Sequence, residues 1–164
     1  MTPPPCGENR LLSALRSRTA DAHRRLEEAV EIEQRIRQAD DYRDLLARFW
    51  GFYAPLEQAL AAVAWRVDPV PDWIRPKTPA LRRDLQELGI ADPATLPVCR
   101  DLPKLGDWRA ALGCHYVLEG ATLGGRTIVK LMAREDRTSD LPAGFFSGYG
   151  EATGERAVLT AGNA

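Results

Sequence analysis

Apolar positions recur along most of this chain at steps of three and four residues, the period of an amphipathic helix. The first such run extends from Arg10 to about Arg37. Leu12, Leu15, Thr19, Ala22 and Leu26 form its stripe, and charged residues fill the opposite face. Ile32 and Ile36 either continue that stripe or follow a short break near Glu31. A second run carries Tyr42, Leu45, Leu46, Phe49, Trp50 and Tyr53, with Asp40 or Asp41 as its cap. Pro55 predicts a kink, with the helix continuing through Leu60 to Trp65. Pro69, Pro71, Pro76 and Pro79 mark a connector. A shorter helix from Ala80 to Leu88 stops at Gly89. After a loop with Pro93, Pro97 and Pro103, Asp107 caps a long helix from Trp108 to about Arg134. A last helical piece runs from about Ala143 to Arg156.

No stretch alternates as a strand does, and no repeat occurs. The pattern predicts an all-α, single-domain bundle of about five to seven helices. Residues 1–9, with Pro3, Pro4 and Pro5, read as a disordered lead-in. The helical domain spans 10–156, and 157–164 form a short tail.

Composition narrows the function classes. The chain has 164 residues, enough for one domain with its own core. A formal net charge of −1, with acids and bases interspersed, gives no electrostatic case for nucleic acid. No apolar run is long enough to span a membrane. The polar, Pro-rich start has no apolar core of a signal peptide, so the expected compartment is the cytoplasm. Cys6, Cys99 and Cys114 are widely spaced and odd in number, which argues against a disulfide framework or a zinc site.

The chain has two histidines, His23 and His115. His23 lies at the edge of the first apolar stripe, with Glu27 four residues on, on the same helix face. Imidazole is a common metal and haem ligand, and a carboxylate at that spacing can hold its other ring nitrogen. A partly buried structural histidine with a surface partner accounts for these two residues more simply. His115 and Glu119 repeat the spacing and raise the possibility of a non-haem metal pair. Di-iron bundles use a different spacing, Glu-x-x-His, with further glutamates.

In the long helix, Gly120 and Gly124 share one face, and Gly113 lies two turns earlier on roughly the same face. Absent side chains there let a flat ligand approach the backbone; close helix packing or a bend needs the same residues.

The segment Leu15-Arg-Ser-Arg-Thr19-Ala-Asp-Ala-His23-Arg-Arg-Leu26-Glu27 resembles the proximal helix of haem oxygenases. Tyr116-Val-Leu-Glu-Gly-Ala-Thr-Leu-Gly-Gly-Arg126 resembles the family's glycine-rich distal helix, in the form of the bacterial branch associated with phytochromes. Phe145-Phe-Ser-Gly-Tyr-Gly150 is similar to that branch's C-terminal part. The resemblance implies a haem oxygenase-type bundle in which haem is cofactor and substrate, opened by O2 to biliverdin, carbon monoxide and iron. It implies His23 as iron ligand, and Glu27, Tyr116, Gly120, Gly124 and Gly125 as haem-binding residues. Gly120 and Gly124 would line the catalytic distal face. It also implies an external electron donor of ferredoxin or reductase type, because the chain has no nucleotide-binding fingerprint. A bacterial phytochrome would be the acceptor of biliverdin.

Two departures accompany the resemblance. Ala121 stands where many members carry Asp, so another group, Thr122 or Tyr116, or water would organise proton delivery. Relatives also continue past the Phe145–Gly150 region as a longer apolar helix, whereas this chain ends at Ala164 in a weakly helical stretch. That reads as a C-terminally shortened member, with a thinner pocket wall, weaker haem affinity or a less stable fold. The competing readings are a haem-binding carrier, sensor or degenerate paralogue without turnover, and a non-haem metal or thiamine-degrading relative of the same architecture.

Overall fold

The computed structural model describes residues 10–65, 75–137 and 140–148. Every regular element among them is helical. They divide into two compact units, one through Ile32 and one from Glu33 onward.

The first unit is one helix, α1 (Arg10–Val30). It is exposed from Ser13 to Ala29, the stripe residues Leu15 and Leu26 included, and along it Arg24 meets Asp21 at 3.3 Å and Glu28 at 3.1 Å. Such pairs support a helix by a few tenths of a kcal/mol each (about 0.2–0.5). Thr19 Oγ1 donates back to the Leu15 carbonyl at 2.9 Å. The helix stops at Glu31, whose φ of +46° lies in the left-handed region. Of the two predicted possibilities, the structure therefore has the break. The short α2 (Ile32–Arg35) follows it. The side chain of Leu12 lies outside the described residues.

The second unit is built on α3 (Ala39–Ala61), whose buried residues, including Tyr42, Leu45, Leu46, Trp50 and Leu56, keep the helical period. Gln38 occupies its N-cap position, not Asp40 or Asp41. Those two aspartates fall in the first turn, where their charge complements the helix dipole. The helix runs through Pro55 and ends at Ala61, short of Trp65. Its last turn tightens instead: the Ala62 and Val63 amides donate to the Ala59 and Leu60 carbonyls. Gly51 lets the loop at Pro97–Cys99 approach. A Cβ there would lie 2.6 Å from the Pro97 carbonyl oxygen, and the Cys99 amide donates to the Gly51 carbonyl at 2.7 Å.

Helix α4 (Thr78–Glu87) packs Leu81 and Leu85 against α3. It begins two residues before the predicted start because Glu57 of α3 accepts the Lys77 and Thr78 amides. Gly89, with φ +90°, ends it, and Ile90 donates to the Leu85 carbonyl in a Schellman closure. A 3-10 turn over Pro93–Thr95 sits in the region predicted as loop. Helix α5 (Trp108–Arg134) has the predicted bounds. Asp107 Oδ1 caps it, accepting from Arg109 at 2.9 Å and Ala110 at 3.0 Å.

The short α6 (Gly144–Ser147) packs on α4 and α5. Asp84 of α4 accepts its first amides, Gly144 at 3.2 Å and Phe145 at 2.7 Å. Phe145 stacks among α3 rings, 5.4 Å from Phe49 and 5.2 Å from Tyr53. The predicted lead-in, the tail and the helix beyond Gly148 lie outside the described residues. No described helix is long and apolar enough to cross a membrane.

Candidate functional site

In the first unit, the helical spacing of His23 and Glu27 brings them together. His23 Nδ1 lies 3.3 Å from Glu27 Oε1. That arrangement leaves Nε2 as the second ring nitrogen, the one suited to a ligand bond.

In the second unit, α5 has two unlike faces. Ala111, His115, Leu118, Thr122, Gly125 and Met132 are buried on one. Gly113, Gly120 and Gly124 lie on the other, and a Cβ built at any of them meets nothing within 4 Å. With a rise of about 1.5 Å per residue, this side-chain-free row extends about 16 Å along the helix. Tyr116, Val117 and Leu123 rise beside it, all exposed. The row thus pairs bare backbone with an apolar border.

Gly125 stands apart from the other predicted glycines. A Cβ there would run into the Phe146 carbonyl oxygen and lie 3.2 Å from Phe146 Cα. Its missing side chain admits the α6 backbone, so the structure commits Gly125 to packing. Thr122 also points inward, its hydroxyl donating to the Leu118 carbonyl at 3.3 Å. Ala121 is exposed.

Behind this helix lies a polar group that sequence reasoning missed. Lys77 Nζ meets Glu119 Oε1 at 2.8 Å, with both side chains almost wholly buried. Burial pushes the Lys77 ammonium down, while the Glu119 hydrogen bond and the charges of Glu119 and Glu57 oppose that shift. Tyr53 is pushed up to about 12 by burial, then by Glu57 and Glu119. His115 lies against the Trp65 ring, 5.7 Å between centroids. Burial lowers its pKa, with Glu119 opposing. The sequence signal was present only for His115 and Glu119, through their i,i+4 spacing. Lys77 is 42 residues away in sequence, and no local pattern joins it to them.

Glu119 is thus engaged by a cation, which disfavours the metal-pair reading. Among the described residues, no three His, Cys, Asp or Glu side chains form a group able to hold a metal ion. Within the second unit, the bare face of α5 with its apolar border suits a flat ligand such as a porphyrin ring; within the first, the His23 imidazole beside Glu27 is of the donor type that suits its metal.

The family model described as "Heme oxygenase" matches residues 9–157. A protein named "Heme oxygenase" from Xanthomonas campestris pv. campestris (strain 8004) is 36% identical over 98 residues, 58% of this chain and 55% of that protein. The chain therefore spans about half the length of the curated relative it matches. No solved structure matches it with significance.

Proposed function

The chain belongs to the haem oxygenase family, and on that premise we propose that it opens haem to biliverdin, carbon monoxide and iron. The observation that carries the proposal is the open row of Gly113, Gly120 and Gly124 on α5. A helix gives up roughly 1 kcal/mol for each such glycine relative to alanine. Among the described residues of the second unit, no neighbouring atom lies within 4 Å of a Cβ built at these positions.

Bound haem supplies both the ring that is opened and the iron centre at which O2 is reduced. His23 would hold the iron through Nε2. Glu27 would accept a hydrogen bond from Nδ1–H and so hold the ring's tautomer. Gly120 and Gly124 would admit the ring to the α5 backbone. Val117 and Leu123 would offer the ring apolar surface beside it. The Thr122 hydroxyl is turned to Leu118, so Tyr116 takes over as the hydroxyl that holds water for proton delivery in place of the missing aspartate. Electrons come from a separate ferredoxin or reductase-type donor, and a bacterial phytochrome receives the biliverdin.

The test uses the purified chain with haemin. The wild type is expected to develop a Soret band that His23→Ala weakens and shifts. With ascorbate or a reductase under air, that band should decay as biliverdin absorbance rises. A band that persists without biliverdin would leave a carrier or sensor in place of an enzyme.

A further inference from the structure

Two contacts in the second unit fix α5 on either side of its open glycines. On the C-terminal side, Gly125 lies against the α6 backbone at Phe146. On the N-terminal side, the residue before Gly120 is Glu119, bound to Lys77 at 2.8 Å with side chains 11% and 9% exposed. Lys77 has a second attachment: its backbone amide donates to Glu57 Oε1 on α3 at 2.5 Å. The other oxygen of Glu57 accepts the Thr78 hydroxyl at 2.6 Å. One residue thereby ties α3, the start of α4 and the middle of α5.

A buried ion pair is a poor source of net stability, because desolvating both ions offsets most of their attraction. Two apolar side chains of similar volume would hold the helices together as well. They would not hold them in one register. Apolar surfaces slide with little penalty, whereas an ammonium and a carboxylate held at hydrogen-bond distance lose that bond in a buried setting when they part. A rotation of α5 that swings the glycine row aside also carries Glu119 off Lys77, since Glu119 and Gly120 are adjacent on the same helix.

We propose that Lys77 and Glu119 are positioning residues: their ion pair fixes the rotation of α5 so that the Gly120–Gly124 backbone meets the haem in one orientation. This rests on the haem reading above. Neither side chain touches the ring; both act through the helix that carries the glycines.

The experiment compares the full chain as wild type, K77M/E119L and E119Q. The double variant removes the ion pair without leaving a lone buried charge. E119Q keeps an oxygen acceptor for Nζ. Each is melted without haem, and each ferric haem complex is then titrated spectroscopically through its acid–alkaline transition, which reports the distal surroundings without turnover. The double variant should melt within about 4 °C of the wild type. Its transition should shift by about half a pH unit or more and broaden. E119Q should stay near the wild type. An unchanged transition in K77M/E119L overturns the proposal. So does loss of its apo fold, which would make the pair part of the framework. A wild type with no Soret band on adding haemin overturns the haem reading, and this inference with it.

Discussion

Gly124 and Gly125 stand side by side in α5, yet a methyl group added at the two positions meets opposite surroundings. At Gly124 it enters open space; at Gly125 it runs into the Phe146 backbone. One helical step turns a residue by about 100°, enough to carry it from the bare face to the packed one. The same amino acid therefore answers two demands. Gly125 lets two backbones close on each other, and Gly113, Gly120 and Gly124 keep a surface empty. A glycine that packs stabilises the fold. One that faces open space weakens the helix and is explained by what comes to it.

Substitution separates these roles. Gly125→Ala should destabilise most, by about 1–3 kcal/mol, because the obstructing atom is backbone and cannot rotate away. Chemical denaturation without haem measures it. A loss near zero would mean that α6 yields, and the contrast between the two glycines would collapse. Gly120→Ala and Gly124→Ala should instead raise apo stability, by about 1 kcal/mol each, from helix propensity. The same changes should weaken the haemin Soret titration, since the methyl occupies the ring's place. Tighter haem binding by either variant would contradict the assigned face.

The sequence marks the face shared by Gly120 and Gly124 through their four-residue spacing, and the bounds of α5 through Asp107 and the apolar period. Only the family resemblance groups Gly125 with them, and adjacency carries no information about which neighbour will arrive. That neighbour, Phe146, is 21 positions away and belongs to a four-residue helix too short to show a period. The start of α4 was misplaced for a related reason. Its amides are satisfied by Glu57 from another helix, where a local rule looks for a capping side chain at Lys77. The His23–Glu27 pair needed only helical geometry and was fully legible. Local spacing reveals which residues share a face; long-range packing decides which face is covered.

His115 offers a smaller test of the covered face. Burial is the first cause of its lowered pKa, so in the folded chain it titrates below its ordinary value of 6.5. Between those two values the unfolded chain binds more protons. The stability associated with neutral His115 is therefore complete above pH 6.5 and is lost as pH falls toward the folded value. The melting temperature of the wild type should fall more steeply than that of His115→Gln between about pH 7 and about pH 5. Parallel curves would show that His115 stays in contact with water, and that this side of α5 is less closed than its packing indicates.

The smallest effect belongs to the two capping carboxylates, which differ in the way the two glycines do. Asp107 caps α5 at the surface, and the Ala110 amide, foremost, holds its pKa below the ordinary 3.8. Asp84 caps α6 from the interior, and desolvation raises its pKa despite the Phe145 and Gly144 amides. The signs of their linkage are opposite. The contribution of Asp107 is present above pH 3.8 and is lost as pH falls through its folded value. Asp84 retains its proton longer in the folded chain, so its contribution declines as pH rises from 3.8 through its folded value. Asp107→Ala should lower the melting temperature slightly at neutral pH, and the gap from the wild type should close below pH 3.8. Asp107→Asn, which keeps an oxygen acceptor without a titrating proton, should show a gap that does not change with pH. If the Asp107→Ala gap persists in acid, the cap acts through the shape of the turn and not through its charge. The amide-driven shift at Asp107 would then no longer account for how α5 begins.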